Sequence, residues 1–339
     1  MNPAAGTHDE TYCIVELDAR EAHRTPELRE LLARCEHADQ RPPLGDHAIS
    51  ALATIEPTAR AITVVGPSSL LAAYAQATPT SAASPTWTID IAVDPSHRHD
   101  HDTIIDIALR AALGWVRERS GSDVQWWRHE PTDNDRTIAE RHGLLPKRLL
   151  LQMHTRLDSI PADPSITIRP FMAGIDELAL LDVNNLAFAH HPDQGDWTHD
   201  SLISRFTSDW FDPAGLLIHT DDHGTMLGFC WTKIHHATSA APLGEIYVIA
   251  VRPSHHGRGL GRALTRAGLA SLHERDIDRV MLFVDGTNTA ARTLYQQLGF
   301  AVSATSAAFH AALPHSPPSH SPPGELYHDG QGSVSGPSR

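Results

Sequence analysis

Residues Gly244–Gly261 have the sequence GEIYVIAVRPSHHGRGLG, which predicts a strand, a glycine-rich loop and the start of a helix. The strand is indicated by the apolar, mostly β-branched run Ile246–Val251, and the helix by the amphipathic segment Arg262–Glu274. The first amides of a helix have no partner within it and lie at the positive end of its dipole. Glycine lets the backbone approach a ligand closely. The stretch therefore predicts a site for a diphosphate-bearing ligand at the helix N-terminus.

The loop His256–Gly261, HGRGLG, resembles the acyl-CoA loop of the GNAT acetyltransferase superfamily, usually Gln/Arg-x-x-Gly-x-Gly/Ala. His256 stands where that family usually has glutamine or arginine. For the loop alone, an ordinary strand-to-helix turn remains an alternative. A second segment, Asn288–Phe300 (NTAARTLYQQLGF), resembles the helix that closes the same site in the family. The two motifs in this order and spacing favour an acyl-CoA site, with acetyl-CoA as the donor.

The composition of the 339-residue chain, 41% apolar and 20% charged, predicts a soluble globular protein long enough for two domains. A formal net charge of −14 argues against nucleic acid or an anionic membrane as the main partner. The 24 histidines show neither a zinc spacing with cysteine nor a His-Glu-x-x-His pattern, so no metal is predicted and a metal-binding protein is the least favoured alternative. Three isolated cysteines, no signal peptide pattern and no apolar run of membrane length predict a reduced, cytoplasmic protein, and a monomer is expected.

The chain contains two copies of one pattern. Residues 91–97 (IAVDPSH) match residues 249–255 (IAVRPSH) at an offset of 158, and Arg136-Thr137 match Arg292-Thr293 at an offset of 156. Matches in the same order predict a duplicated domain, and the resemblance implies two tandem GNAT domains of the α/β class, each a mixed sheet with helices on both faces. The last predicted element is a helix over Thr289–Leu298. The predicted divisions are a first domain at 1–157, a linker at 158–165, a second domain at 166–313 and a disordered tail at 314–339.

The first copy has lost the residues on which chemistry would depend. Its loop at 98–103, RHDHDT, has no glycine, and its two aspartates would repel a diphosphate. Trp87 and Ala139 stand at the positions of Glu245 and Tyr295 in the second copy. We therefore predict a degenerate first domain that supports an active second domain. The alternative of a second acetyl-CoA site stays open, and its contacts would be Ile91, Ala92 and Val93.

Acetyl transfer from a thioester to an amine needs a base for the ammonium, donors for the developing oxyanion and an acid for the departing thiolate. Glu245 is the candidate base because a carboxylate opens an otherwise apolar strand; the alternative is an exposed charge at a strand end. Backbone amides around Ile249–Val251 are the candidate oxyanion donors. Tyr295 is the candidate acid, and the alternative for its ring is core packing at helical spacing with Leu294 and Leu298.

Two further segments are dense in polar and aromatic residues: Val183–Thr198 (VNNLAFAHHPDQGDWT) and Gly228–His235 (GFCWTKIH). Both resemble segments of the mycothiol synthase family, actinobacterial enzymes built from tandem GNAT domains. The resemblance implies that acetyl-CoA acetylates the cysteinyl amine of a small-molecule acceptor, a cysteinyl-glucosaminyl-inositol. The implied acceptor contacts are Asp46 and Asp193, where glutamate is familiar in the family, Lys233, Glu245, and Phe283, where tyrosine can occur.

The acetyl-CoA contacts implied by the resemblance lie in three runs of the second copy. They are Ile249, Ala250, Val251, His256, Gly257, Arg258, Gly259, Leu260, Gly261, Arg262, Asn288, Thr289, Ala290, Ala291, Arg292 and Thr293.

Two alternatives of other kinds stay open: a GNAT acetyltransferase acting on a protein N-terminus or an aminoglycoside, and a non-catalytic acetyl-CoA-binding module. Without the family, Lys233 would also fit an ordinary solvated strand residue.

Overall fold

The structure is a computed structural model that describes residues 12–18, 25–39, 41–45, 48–49, 51–52, 59–67, 70–80, 86–118, 123–157, 165–189, 194–236 and 241–313. Two predicted acceptor contacts, Asp46 and Asp193, lie outside these described residues. The predicted tail at 314–339 and residues 158–164 of the predicted linker lie outside them as well.

The described residues form one continuous sheet of twelve strands, with helices packed on both faces. The strands are β1 (Cys13–Asp18), β2 (Arg60–Val65), β3 (Leu71–Pro79), β4 (Thr86–Val93), β5 (Asp123–His129), β6 (Leu145–Arg156), β7 (Arg169–Pro170), β8 (Leu216–Thr220), β9 (Met226–His235), β10 (Leu243–Val251), β11 (Arg279–Asp285) and β12 (Ala301–Ala312). The α-helices are α1 (Pro26–Asp39), α2 (His101–Glu118), α3 (Asp133–Arg141), α4 (Glu177–Ala187), α5 (His199–Phe206), α6 (Leu260–His273) and α7 (Thr289–Gln297).

The strands of the first half are apolar on both sides because each face of the sheet is covered by a helix. On one face, Ile62 and Val64 of β2 pack in a cluster with α2, whose apolar residues recur every three or four positions. On the other face, Ala61 and Tyr74 pack against α1. Apolar residues that alternate along the strands and those that recur every 3.6 residues along the helices thus pack together in two separate cores, one on each face of the sheet.

The second half repeats this arrangement and holds α6 unusually close to the sheet. Cys230 of β9 packs in a cluster with α6, whereas its neighbours Phe229 and Trp231 point to the opposite face, in a cluster with α4. A Cβ atom added to Gly268 of α6 would lie 2.5 Å from Sγ of Cys230. Glycine at this position therefore lets the helix axis approach β9, and this contact fixes where the N-terminus of α6 lies.

The last strand of each half lies beside the fifth strand of the other half. The order across the sheet is β1-β2-β3-β4-β5-β12-β6-β11-β10-β9-β8-β7. Strand β12 pairs with β5, β6 pairs with β11, and β6 and β12 pair with each other at the centre, with Leu150 opposite Ser306. These two residues are themselves 156 positions apart, so the repeat seen in the sequence is a two-fold pseudosymmetry of the sheet.

The predicted mixed α/β sheet with helices on both faces is confirmed. The helix predicted at Thr289–Leu298 is observed as α7. Strand β12 was not predicted, since no element was expected after that helix. The predicted domain boundaries stay a prediction. The pairing of β6 with β11 and of β12 with β5 joins the two predicted domains in one sheet. No helix among the described residues combines the length and apolar character that crossing a membrane requires.

Candidate active site

A gap opens between β10 and β11 in the second half. The two strands pair in parallel over only three positions, Gly244–Ile246 with Val280–Leu282, although β10 continues to Val251. A bulge in the pairing of β10 with β9, between Ile246 and Val248, turns the strand at the point where the gap begins. The edge of β10 that includes Ile249, Ala250 and Val251 therefore borders an opening into which an extended, amide-bearing ligand can pair, as an added strand would.

The glycine-rich loop ends in an open helix N-terminus next to this gap. Gly257 and Gly259 have φ angles of 75° and 84°, in the region that favours glycine, and no atom lies within 4 Å of an added Cβ at either. Gly259 is the N-cap of α6 and supplies no side-chain cap. The first amides of α6 are thus presented to a ligand, and the arrangement fits a diphosphate.

His256 has a structural role that accounts for histidine at this position. Its Nε2 lies 2.8 Å from the carbonyl oxygen of Val251, and because a carbonyl only accepts, the ring donates. The bond joins the loop to the end of β10. Arg262 ties the start of α6 to the neighbouring helix through its Nη1, 2.8 Å from Oε1 of Gln297 in α7.

Helix α7 packs beside the start of α6, so the two predicted acetyl-CoA motifs are brought together. A Cβ added to Gly261 would lie 3.8 Å from Leu294. Asn288 caps α7, with Oδ1 accepting from the amide of Ala291 at 3.0 Å, and Arg292 donates to the carbonyl of Gly286 at 2.8 Å. The remaining implied contacts at this end, Thr289, Ala290 and Thr293, are exposed, as are Gly257, Arg258 and Gly259, whereas Gly261 is half-buried.

Glu245 is buried, which rules out the alternative of an exposed charge at a strand end. It is 6% exposed, and its Oε2 lies 2.7 Å from Nε2 of His235 on β9. Lys233 lies directly opposite Glu245 in the antiparallel pairing, so all three side chains belong to one face of the sheet. A carboxylate is thus held at the mouth of the gap between β10 and β11, where a base is needed.

Lys233 lies over aromatic rings. Its Nζ is 4.7 Å from the ring centroid of Trp210 and 5.7 Å from that of Tyr247. Cation–π contacts of this kind hold an ammonium group in a defined direction while its N–H groups remain able to donate. This geometry disfavours a merely solvated strand residue and gives the face an oriented hydrogen-bond donor.

Phe283 and two residues of the first half extend the same face. Phe283 is 45% exposed and lies two residues beyond Met281, which pairs with Glu245. Gln152 of β6 lies opposite Phe283, and its Nε2 is 3.2 Å from Nε2 of His154. No pattern in the sequence indicated Gln152 and His154, because only the pairing of β6 with β11 brings them to this face.

Tyr295 is 6% exposed and packs edge-on against Phe300, with ring centroids 5.9 Å apart. It belongs to the same core cluster as Val251 and Leu260, which flank the loop. Burial, and to a lesser extent the nearby Cys230 thiol, raises the pKa of the phenol well above its ordinary value near 10. The ring of Tyr295 therefore packs in the core, as the alternative had it, and its phenol keeps its proton at alkaline pH.

Comparison with known proteins establishes the family. The acetyltransferase (GNAT) family pattern matches residues 180–300. A mycothiol acetyltransferase of Salinispora arenicola is 38% identical over 284 residues, covering 81% of this chain and 90% of the relative. One of Thermomonospora curvata is 42% identical over 211 residues, covering 61% and 69%. The chain belongs to the mycothiol acetyltransferase family. Family membership makes it an acetyltransferase that uses an acyl-CoA.

Solved structures confirm the predicted tandem GNAT fold of this family member. A GCN5-related N-acetyltransferase from Sphaerobacter thermophilus superposes with a TM-score of 0.67 at 24% identity, covering 89% of this chain and 96% of that one. A tandem GNAT protein from the clavulanic acid biosynthesis pathway superposes with a TM-score of 0.65 at 14% identity, covering 91% and 100%. At these identities the likeness concerns the fold alone.

The first half of this mycothiol acetyltransferase family member has a different cavity at the equivalent place. Trp87, at the position of Glu245, is buried against Trp115 with ring centroids 5.0 Å apart. The glycine loop is replaced by a 3-10 helix, Pro95–Asp100, that runs into α2, so the amide of His101 donates to its own chain. A cavity of about 210 Å³ remains, lined by Ile91, Ala92 and Val93 together with Cys35, Asp39, Arg41, Pro43, Arg98, His101 and Arg128.

Proposed function

We propose that the protein transfers the acetyl group of acetyl-CoA to the cysteinyl amine of cysteinyl-glucosaminyl-inositol, which yields mycothiol. The observation that carries the proposal is the buried carboxylate of Glu245 beside Lys233 at the mouth of the β10–β11 gap. Relatives named mycothiol acetyltransferase, 36–42% identical, support the choice of acceptor.

Acetyl-CoA would lie along β10 with its diphosphate at the start of α6. The amides of Ile249 and Val251, which point away from β9 and into the gap, would pair with the pantetheine arm and polarise the thioester carbonyl, with Ala250 between them. Gly257, Gly259 and Gly261 would let the phosphates approach the first amides of α6, with His256, Arg258, Leu260 and Arg262 completing the loop. The residues from Asn288 to Thr293 would border the ligand from α7.

Three groups of this chain divide the chemistry of the transfer. Glu245 takes a proton from the acceptor ammonium through Oε1, the oxygen that His235 does not contact. The neutral amine attacks the thioester carbonyl, whose developing charge is held by amides of β10. Tyr295 gives its proton to the departing thiolate, and the second proton that the amine nitrogen loses as the intermediate collapses restores the phenol. The raised pKa of the phenol keeps Tyr295 protonated between turnovers.

The acceptor would lie on the face that carries Lys233, Glu245 and Phe283. Lys233 can donate to hydroxyl groups of a polyol, and the exposed ring of Phe283 can cover an apolar sugar face. Asp46 and Asp193, which lie outside the described residues, are proposed as further acceptors of hydroxyl hydrogen bonds.

The proposal is tested by following loss of the acetyl-CoA thioester with three amines, namely cysteinyl-glucosaminyl-inositol, free cysteine and a peptide with a free N-terminus. Turnover confined to the first, with mass spectrometry locating the acetyl group on the cysteinyl nitrogen, is the expected result. Faster turnover with the peptide would assign the protein to another amine. Acetyl-CoA binding without turnover of any amine would make it a non-catalytic binding protein.

Replacing Tyr295 by phenylalanine should lower kcat by about ten- to a hundredfold and leave the KM for acetyl-CoA unchanged. Phenylalanine keeps the contact with Phe300 but has no proton to give. Because burial raises the pKa of the phenol, Tyr295 stays protonated up to and beyond pH 10. Deprotonation of Tyr295 should therefore cause no loss of the wild-type rate between pH 6 and 10. Rate profiles of both proteins between pH 6 and 10 measure this. An unchanged kcat in the variant would reduce Tyr295 to core packing.

We also propose that Ile91, Ala92 and Val93 contact a second acetyl-CoA molecule, because three arginines, Arg41, Arg98 and Arg128, line the same cavity and can meet its phosphates. Equilibrium dialysis should then find two acetyl-CoA molecules per wild-type chain and one in a variant whose loop in the second half is disrupted, such as Gly259→Asp. A single bound molecule in the wild type would show that the first half is structural.

A further inference from the structure

Glu245 and His235 form a hydrogen-bonded pair in which one member is enclosed and the other reaches solvent. Nε2 of His235 lies 2.7 Å from Oε2 of Glu245. The side chain of Glu245 is 8% exposed, and that of His235 is 36% exposed. We infer that His235 carries to solvent the proton that Glu245 takes from the acceptor amine. This inference rests on the proposed function of Glu245 as the base.

Each turnover leaves one proton on Glu245, and the enclosed carboxyl group needs a route for its release. An N–H bond of the ammonium breaks as an O–H bond forms on Glu245. Because a carboxylate only accepts, the resting ring of His235 donates through Nε2–H and carries its lone pair on Nδ1. Exposed side chains change rotamer within nanoseconds. A flip of the ring presents Nδ1 to the protonated carboxyl group, whose O–H bond breaks as an Nδ1–H bond forms, so the carboxylate is restored and an imidazolium results. The Nε2–H bond, now turned to solvent, then breaks as water or buffer takes the proton, and the neutral ring returns.

The position of His235 on its strand suits this role. It is the last residue of β9 and lies two residues beyond Lys233, so both side chains are on the face of Glu245. Its partner across the ladder is Leu243, which leaves Glu245 on the diagonal, within reach of a long side chain. The ring thus bridges the enclosed base and the end of the strand, where the chain leaves the sheet.

The other charged groups around this pair come from three strands and from the turn that carries Trp210. Lys233 lies two residues before His235 on β9. Arg279 is the first residue of β11 and lies one residue before the part of that strand that pairs with β10. His154 on β6 stays neutral, because burial and then the charge of Arg279 lower its pKa. The turn that carries Trp210 holds Asp209 and also Asp212, whose charge is paired with Arg275 at 2.8 Å. Glu245 is thus the carboxylate in direct contact with the ring among the described residues.

Two variants separate proton transfer from positioning. His235→Gln retains an N–H group that can hold Glu245, yet it cannot accept a proton. We expect its kcat to fall at least tenfold with the KM for acetyl-CoA unchanged. In His235→Ala, added imidazole should raise the rate in proportion to its concentration, since a dissolved base can replace the missing one.

His310→Gln is the matched control. His310 of β12 forms a similar pair with Asp123 of β5, at 3.0 Å, on the far side of β6 from Glu245, so this variant should keep the wild-type rate. Full kcat in His235→Gln would overturn the inference. So would a slow His235→Ala whose rate does not respond to imidazole, because His235 would then only position Glu245. Failure of the proposed function would show itself separately, as an active Glu245→Gln or a wild type that acetylates no amine.

Discussion

Replacing Glu245 by glutamine should lower kcat by about two to four orders of magnitude, while acetyl-CoA binds as tightly as before. The amide is nearly isosteric and can still contact His235, but it cannot take a proton from the acceptor ammonium. The carboxylate lies at the start of the gap and away from the glycine loop, so the CoA cradle stays intact. Steady-state kinetics, with calorimetric binding of acetyl-CoA, measure the two quantities separately.

The pH dependence gives an independent check on Glu245. If the glutamine variant is slow because no base is present, its residual rate should rise steadily with pH as the fraction of free amine grows. Glu245→Asp is the control, since it keeps the charge and withdraws it by one methylene, and it should retain more activity than the amide. Wild-type kcat in Glu245→Gln would contradict the assignment of the base.

Gly259→Asp should raise the KM for acetyl-CoA at the second-half site by about two orders of magnitude or more. A carboxylate at the N-cap would lie where the diphosphate is expected, and like charges about 4 Å apart repel by about 4 kcal/mol near a protein surface. Gly259 also has a φ of 84°, so a side chain adds backbone strain of about 1–2 kcal/mol. Initial rates at varied acetyl-CoA concentration measure the effect on catalysis.

A second glycine separates the charge effect from the strain. Gly224, in the turn between β8 and β9, has a φ of 82° and equally open space around it. Gly224→Asp should therefore share the loss of thermal stability and keep the wild-type KM. Equal KM values for acetyl-CoA in Gly259→Asp and the wild type would show that the glycine loop is not part of the acetyl-CoA site.

The sequence identified the elements whose signals are local. Strand β10, the glycine loop and α6 follow one another along the chain, and each has its own pattern of apolar residues or glycines. The offset of the two copies also predicted that Trp87 stands in the first half at the position of Glu245. Its burial against Trp115 explains the replacement, since an ion at that place would be enclosed without a partner.

Features that depend on distant pairing could not be predicted. Strand β12 has the sequence AVSATSAAFHAA, and alanine is depleted in strands, so nothing local indicates one. It forms because β5 and β6 offer their edges on either side. The sequence predicts that His235 and Lys233 lie on the same face, since they are two residues apart on one strand. The contact of His235 with Glu245 could not be predicted, because it depends on the register of β9 with β10.

The exchanged strands bear on the history of the chain. Without β12 the first half would expose the edge of β5, and without β6 the second half would lose both a neighbour of β11 and the side chains of Gln152 and His154. Such an exchange is what arises when two copies of an ancestral subunit trade their last strands and are later fused into one gene. After fusion, neither copy could be deleted without unravelling the other. The second half therefore depends on the first for its sheet, whatever chemistry the first half performs.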